Sequence, residues 1–160
     1  MPVLRVILAV ASVIGAFGSW SALAQNQPAD NMQITMDKIK ADKKYFVAEN
    51  MSLTETEAKG FWPIYDSYQK DLAGINQRLT AMLKTYAQAY KADTLTDDQA
   101  QSLLADTLAI EEAEVTLKRT YIPKLKQVLP GKKVARYIQI ENKIRAVVKY
   151  QLASDIPLAK

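Results

Sequence analysis

A long apolar stripe with heptad spacing constrains the fold of this chain more than any other feature. From residue 61 to residue 90, apolar residues recur in steps of three and four, which places them along one side of an α-helix. This stripe consists of Phe61, Tyr65, Tyr68, Leu72, Ile75, Leu79, Met82, Tyr86 and Tyr90. The next segment carries two rows with seven-residue spacing, namely Leu103, Ile110 and Leu117, and Leu108, Val115, Ile122 and Leu129. No segment alternates with a period of two over a useful length, so the sequence predicts an all-α fold.

Each of these two segments begins with the same short motif, Leu-Thr-x-x-(Glu/Gln)-Ala. In such a motif the Thr hydroxyl accepts from the backbone N–H three residues on, and the Glu or Gln side chain accepts from the Thr N–H. The Leu and the Ala occupy the two positions of a hydrophobic staple. We therefore predict that the motif residues start two helices and bind no ligand; they are Leu53, Thr54, Glu57, Leu95, Thr96 and Gln99.

The pattern predicts four helices, of which the two long ones form an antiparallel hairpin that turns around residue 93. We expect helices over about 32–50, from Thr54 to about 91, from Thr96 to about 128, and over about 132–153. Pro63 and Pro123 lie at equal distances from the turn, so both arms should bend at the same level. Alternatively, Pro63 marks a later helix start. Two long helices with a shorter helix at each end cannot cover all the apolar stripes, so we expect an elongated dimer.

The N-terminus has the pattern of a secretory signal peptide. One basic residue, Arg5, precedes an apolar run over 6–18, and Ala22-Leu23-Ala24 is a small-x-small cleavage site. We predict a signal peptide over 1–24, a flexible arm over 25–31, a single helical domain over 32–153 and a tail over 154–160. The general export pathway would deliver the chain to the periplasm, and because it has no Cys, packing and caps must stabilise it without disulfides.

Residue types exclude most catalytic and metal chemistry. The chain has no His and no Cys, which rules out Ser–His and Cys–His nucleophiles and the usual zinc ligands. Glu111, Glu112, Glu114 and Glu141 lack the Glu-x-x-His pairs of a carboxylate di-metal site, and we interpret them as a solvated helix face. A formal net charge of +4 is too small to indicate nucleic-acid binding. The sequence therefore predicts no enzyme, no cofactor and no metal site.

Two features remain as binding signals, each with an ordinary structural alternative. The first is the aromatic content, because Tyr and Trp suit surfaces that must be both wet and adhesive. The candidate contacts for a polypeptide partner are Phe61, Trp62, Tyr65, Tyr68, Tyr137 and the neighbouring Arg136, and the alternative is core packing. The second is a basic stripe on the last helix, suited to acidic partners or anionic lipid headgroups, or else a solvated face. It consists of Lys132, Lys133, Arg136, Lys143, Arg145 and Lys149.

An exported helical chain with two Leu-Thr-x-x-Gln-type motifs resembles the Spy/CpxP group of periplasmic proteins. The motif from Leu95 to Gln99 matches fully, whereas Glu57 stands where the family has Gln. The resemblance implies a bent helical hairpin in a cradle-shaped antiparallel dimer. It also implies an ATP-independent chaperone for unfolded envelope proteins during envelope stress, or a protein that damps a stress-sensor kinase. Metal-responsive relatives use His or Cys ligands, which this chain lacks.

The leading expectation is a periplasmic chaperone that binds unfolded or misfolded envelope proteins without ATP. The alternatives are a regulatory adaptor that docks on a sensor domain through the basic last helix, or a non-catalytic structural or lipid-surface protein of the envelope. We expect neither a nucleic-acid partner nor a transmembrane segment after signal cleavage.

Overall fold

This computed structural model describes residues 42–159, which contain four α-helices and no strand. The helices are α1 (Lys43–Met51), α2 (Glu55–Ala92), α3 (Asp97–Lys126) and α4 (Gly131–Asp155). The prediction of an all-α fold is therefore confirmed. The predicted signal peptide, the predicted arm and the first ten residues of the predicted first helix lie outside the described residues.

Both predicted capping boxes are present at the starts of the long helices. The Thr54 hydroxyl accepts from the Glu57 N–H at 3.3 Å, and the Glu57 carboxylate accepts from the Thr54 N–H at 2.8 Å. Thr96 and Gln99 make the same pair of bonds, at 3.2 and 3.1 Å. Helix α2 continues through Pro63, so the alternative that Pro63 marks a later helix start is wrong. The bend at each proline stays a prediction.

Helix α1 begins at a capping residue that the sequence analysis did not predict, Asp42. Asp42 is extended, with φ of −158°, and its side chain accepts from the Tyr45 N–H at 2.9 Å, as an N-cap does. A helix running unbroken from about 32 to 50 is therefore wrong, because a capping residue interrupts it at position 42. Asp is a preferred N-cap type, so the signal was present in the sequence and was missed.

Helices α2 and α3 form the predicted antiparallel hairpin. The Tyr121 hydroxyl donates to the Asp71 carboxylate at 2.6 Å, and the Thr107 hydroxyl lies 3.3 Å from the Met82 sulfur. The partner on α3 moves towards the N-terminus as the residue on α2 moves towards the C-terminus. Helix α4 packs against this pair, antiparallel to α3 and parallel to α2, as shown by the pairs Lys118–Asn142, Glu111–Lys149, Gln69–Glu141 and Asn76–Arg145.

The buried residues occupy only one half of this helical unit. We call residues 42–75 and 110–144 the proximal half, and residues 76–109 and 145–159 the distal half. All the buried side chains of the described residues lie in the proximal half, from Val47 on α1 to Ile144 on α4. In the distal half, every described residue is half-buried or exposed. The core therefore stabilises one end, whereas the other end presents its apolar side chains to solvent.

Candidate functional site

The predicted aromatic contacts form the core of the proximal half. Phe61 and Tyr137 are 0% exposed, Tyr68 is 2% exposed and Tyr65 is 4% exposed. The Phe61 and Tyr137 rings meet edge to face with centroids 5.1 Å apart, an arrangement that adds to their hydrophobic burial. The prediction that these four side chains contact a partner is therefore wrong, because α4 packs over the stripe of α2 that carries three of them. Trp62 is half-buried, and Arg136 is exposed.

Burial of these tyrosines also changes their ionisation. Burial, together with the nearby Glu141 carboxylate, raises the pKa values of Tyr65, Tyr68 and Tyr137 far above the ordinary value of 10. For Tyr121, burial and then its hydrogen bond to Asp71 raise the pKa to about 12. The core therefore keeps four phenols protonated at a pH at which an unfolded chain would lose those protons.

Two of the predicted solvated carboxylates lie inside the helical unit. Glu141 is 3% exposed; it accepts from Lys43 of α1 at 2.9 Å and from the Gln69 amide at 2.8 Å. Glu114 is 7% exposed and pairs with Arg145. The solvated-face interpretation is therefore wrong for these two residues. A buried carboxylate needs such partners because burial without them would cost several kcal/mol, about 3–5 kcal/mol where one partner is removed.

The basic stripe of α4 divides into two sets with different roles. Lys133, Arg145 and Lys149 pair with Glu57, Glu114 and Glu111 respectively; the first two are half-buried, whereas Lys149 makes its pair at the surface. Burial lowers the pKa of Arg145, and its Nε is buried without a hydrogen-bond partner. Lys132, Arg136 and Lys143 are exposed, and none of the ion pairs among residues 42–159 involves them. Of the six residues of the stripe, these three therefore carry an exposed charge without an ion pair among the described residues.

The first motif makes an additional contact through Glu57, the residue at which it differs from the second motif. The Glu57 carboxylate caps α2 and also accepts from the Lys133 ammonium, which donates to the Ser52 carbonyl at 2.8 Å as well. The hydrogen bond from Lys133 holds the pKa of Glu57 below its ordinary value. A Gln at position 57 would retain the cap but lose this charge. Glu57 therefore ties the start of α4 to the start of α2.

The exposed apolar surface lies mainly in the distal half, where the sequence analysis named motif and basic residues but no aromatic contact for a polypeptide partner. Seven large apolar residues are exposed within 42–159, and five of them belong to this half, namely Leu104, Leu108, Val148, Tyr150 and Leu158. Leu104 and Leu108 are 62% and 58% exposed, and their four-residue spacing places them on one face of α3. In the sequence, Leu108 belongs to a row of apolar residues with seven-residue spacing. The signal for its exposure is that the four helices cannot cover all the apolar stripes that the sequence contains.

A groove between α2 and α3 with a volume of about 370 Å³ lies in the distal half and reaches Ile110 at the edge of the proximal half. Its apolar walls include Met82, Leu95, Leu103 and Ile110, and polar side chains such as Arg78 and Asp106 line its edge. Leu and Met side chains can adopt several rotamers, which suits contact with partners of varied shape. The groove and the exposed leucines together make the distal half the best candidate for polypeptide binding.

Among residues 42–159, no helix is both long and apolar enough to cross a membrane, and no group of three or more acidic side chains is placed to hold a metal ion. No protein-family model matches this chain, and neither a curated protein nor a solved structure is significantly similar to it.

Proposed function

We propose that this protein is an ATP-independent chaperone that holds unfolded polypeptides on its distal half. The observation that carries the proposal is the absence of any buried residue over positions 76–109, although this described stretch contains Leu, Met and Tyr at regular helical spacing. Monomeric proteins rarely leave large contiguous apolar surfaces open unless they bind something there.

The arrangement of the two halves supports a holding function. The proximal half contains the aromatic core and both buried carboxylates, Glu114 and Glu141, so it can keep the helices folded while the distal half engages a client. When a client covers apolar side chains that are only half-buried, the additional apolar area removed from water stabilises the complex by about 25 cal/mol per Å². Many weak contacts of this kind allow a client to leave and fold.

The proposal includes the periplasm as the place of action and a homodimer as the working form. The apolar N-terminal run with its small-x-small site supports export, and the doubled motif supports membership of the Spy/CpxP group. Unfolded or misfolded envelope proteins would then be the clients. An enzymatic role has no support from the residue types present.

Suppression of aggregation tests the proposal. The full chain, as processed by the cell that expresses it, is mixed at equal molar amounts with a chemically denatured client, and light scattering follows aggregation after dilution. The wild type should suppress scattering, whereas the double variant Leu104→Ser/Leu108→Ser should lose most of the effect. The matched control is Tyr45→Ser/Val115→Ser, which removes two exposed apolar side chains from the proximal half.

The control variant should retain the activity of the wild type, and light scattering should give the same molar mass for all three proteins. Equal loss in both variants would contradict the assignment to the distal half. No suppression by the wild type would contradict the chaperone function itself.

A further inference from the structure

Residues 115–149 combine ten basic residues with a single acidic one, Glu141. Glu141 is 3% exposed and pairs with Lys43, so its charge is neutralised inside the helical unit. The surface that this stretch presents to solvent therefore carries cations and no carboxylate. This stretch covers the second part of α3 and most of α4.

Five exposed cations of this stretch lie in two rows. Arg119 and Lys126 are seven residues apart on α3, and Lys132, Arg136 and Lys143 follow at steps of four and seven on α4. None of the five takes part in an ion pair among the described residues. Each row therefore occupies one helix face with its charge uncompensated.

Both rows lie on the same side of the α3–α4 pair. The Lys118 ammonium donates to the Asn142 amide oxygen at 2.8 Å, so residues 118 and 142 mark where the two helices meet. Arg119 and Lys143 each follow a contact residue and are rotated by about 100° from it. Because the helices are antiparallel, these two rotations turn towards the same face. The bond from Tyr121 to Asp71 places α2 on the opposite face.

This cationic face also presents apolar side chains. Val115 is 45% exposed and Ile122 is half-buried. They precede Arg119 and Lys126 by four residues each, so they lie beside those cations on α3. The face is therefore amphipathic, with exposed cations spread along two helices instead of converging on one point.

We propose that this face, formed by Arg119, Lys126, Lys132, Arg136, Lys143 and Val115, binds the surface of a bilayer that contains anionic phospholipids. Cations distributed over two helices match a plane of repeated phosphates, and the apolar side chains can enter the boundary between headgroups and acyl chains. This surface lies in the proximal half, and Leu108, seven residues before Val115, continues the same side of α3 into the distal half.

Vesicle co-sedimentation tests this surface. The full chain, as processed by the cell, is mixed with vesicles of phosphatidylcholine alone or of phosphatidylcholine with phosphatidylglycerol. The test variant is Lys132→Gln/Arg136→Gln/Lys143→Gln. The matched control, Lys59→Gln/Lys70→Gln/Lys84→Gln, removes three exposed cations from α2 and has the same net charge. All proteins share one N-terminal segment, so its contribution cancels in the comparison.

The wild type and the control should bind the anionic vesicles, more weakly as salt is added. The test variant should lose about five-fold in partition coefficient per cation, or about a hundred-fold in total. Equal losses in both variants, or equal binding to neutral vesicles, would overturn the assignment. Binding of polyglutamate without binding of anionic vesicles would also overturn it, in favour of an acidic polypeptide as the partner. Melting curves that match the wild type would show that both triple variants are folded.

Discussion

Two glycines on α2 offer a test of how closely the proximal half is packed. A Cβ added at Gly60 would lie 2.8 Å from Cγ1 and 2.9 Å from Cβ of Val128, in the segment between α3 and α4. A Cβ added at Gly74 would meet nothing within 4 Å. The same substitution, Gly to Ala, can therefore be made at two positions of one helix, one where the new methyl group clashes with Val128 and one where it meets no other atom.

The expected magnitudes follow from these distances. At Gly74, alanine should stabilise the protein by about 1 kcal/mol, because it has the better helix propensity. At Gly60 the same gain applies, but the clash should cost about 1–3 kcal/mol, the usual range for overpacking. Rotation of the Val128 side chain cannot relieve the contact because Cβ itself is too close. Gly60→Ala should therefore unfold more easily than Gly74→Ala by about 1–3 kcal/mol.

Urea unfolding followed by circular dichroism measures this difference directly. Both variants should give the same denaturant slope as the wild type, so that a shift in midpoint reports a change in stability. Equal stability of Gly60→Ala and Gly74→Ala would refute the close approach of α2 to Val128. An altered slope would instead report a changed folded or unfolded state.

Three further predictions concern the polar contacts of the core and its edge. Glu57→Gln should keep the cap but lose the ion pair to Lys133. Because folding lowers the pKa of Glu57 from 4.5, the wild type should be more stable than this variant by the full amount above pH 4.5. The difference in stability should shrink as the pH falls below 4.5, and thermal melts over a pH series measure it. Lys133→Met should reduce that pH dependence and leave the part that comes from the hydrogen bond of the Thr54 N–H to Glu57. Tyr121→Phe should cost about 1–2 kcal/mol in urea unfolding, because the buried ring loses its bond to a carboxylate. Stability of the wild type should fall above pH 10, where the unfolded chain releases phenol protons that the folded core retains, and a flat alkaline limb would contradict the burial of the tyrosines.

Local sequence patterns predicted the helices, because a helix start is encoded within a few residues. The two capping boxes at Thr54 and Thr96 follow from residues three positions apart, and both are present. The heptad stripe of α2 likewise predicted its core-facing side, on which Phe61, Tyr65 and Tyr68 are buried. The cap at Asp42 was missed because residues 32–50 were interpreted as one continuous apolar pattern.

The candidate site depended on contacts between residues far apart in the chain, which periodicity cannot supply. The same aromatic residues fit a core or a surface, and the packing of α4 on α2 decides between them. The basic stripe reads as one feature in sequence, yet Arg145 pairs with Glu114 across helices while Arg136 stays exposed. Leu104 is exposed because no residue over 76–109 is buried. This depends on how all the helices pack together, which local sequence patterns do not specify.

Site-specific photo-crosslinking tests the central claim, that the distal half holds the client, most directly. A photo-reactive amino acid would replace either Leu104, which is 62% exposed in the distal half, or Tyr45, which is 66% exposed in the proximal half. With a denatured client, we expect crosslinks from position 104 and few from position 45, and a folded client should give few from either. Equal crosslinking from both positions, or crosslinking from position 45 alone, would contradict the assignment of client binding to the distal half.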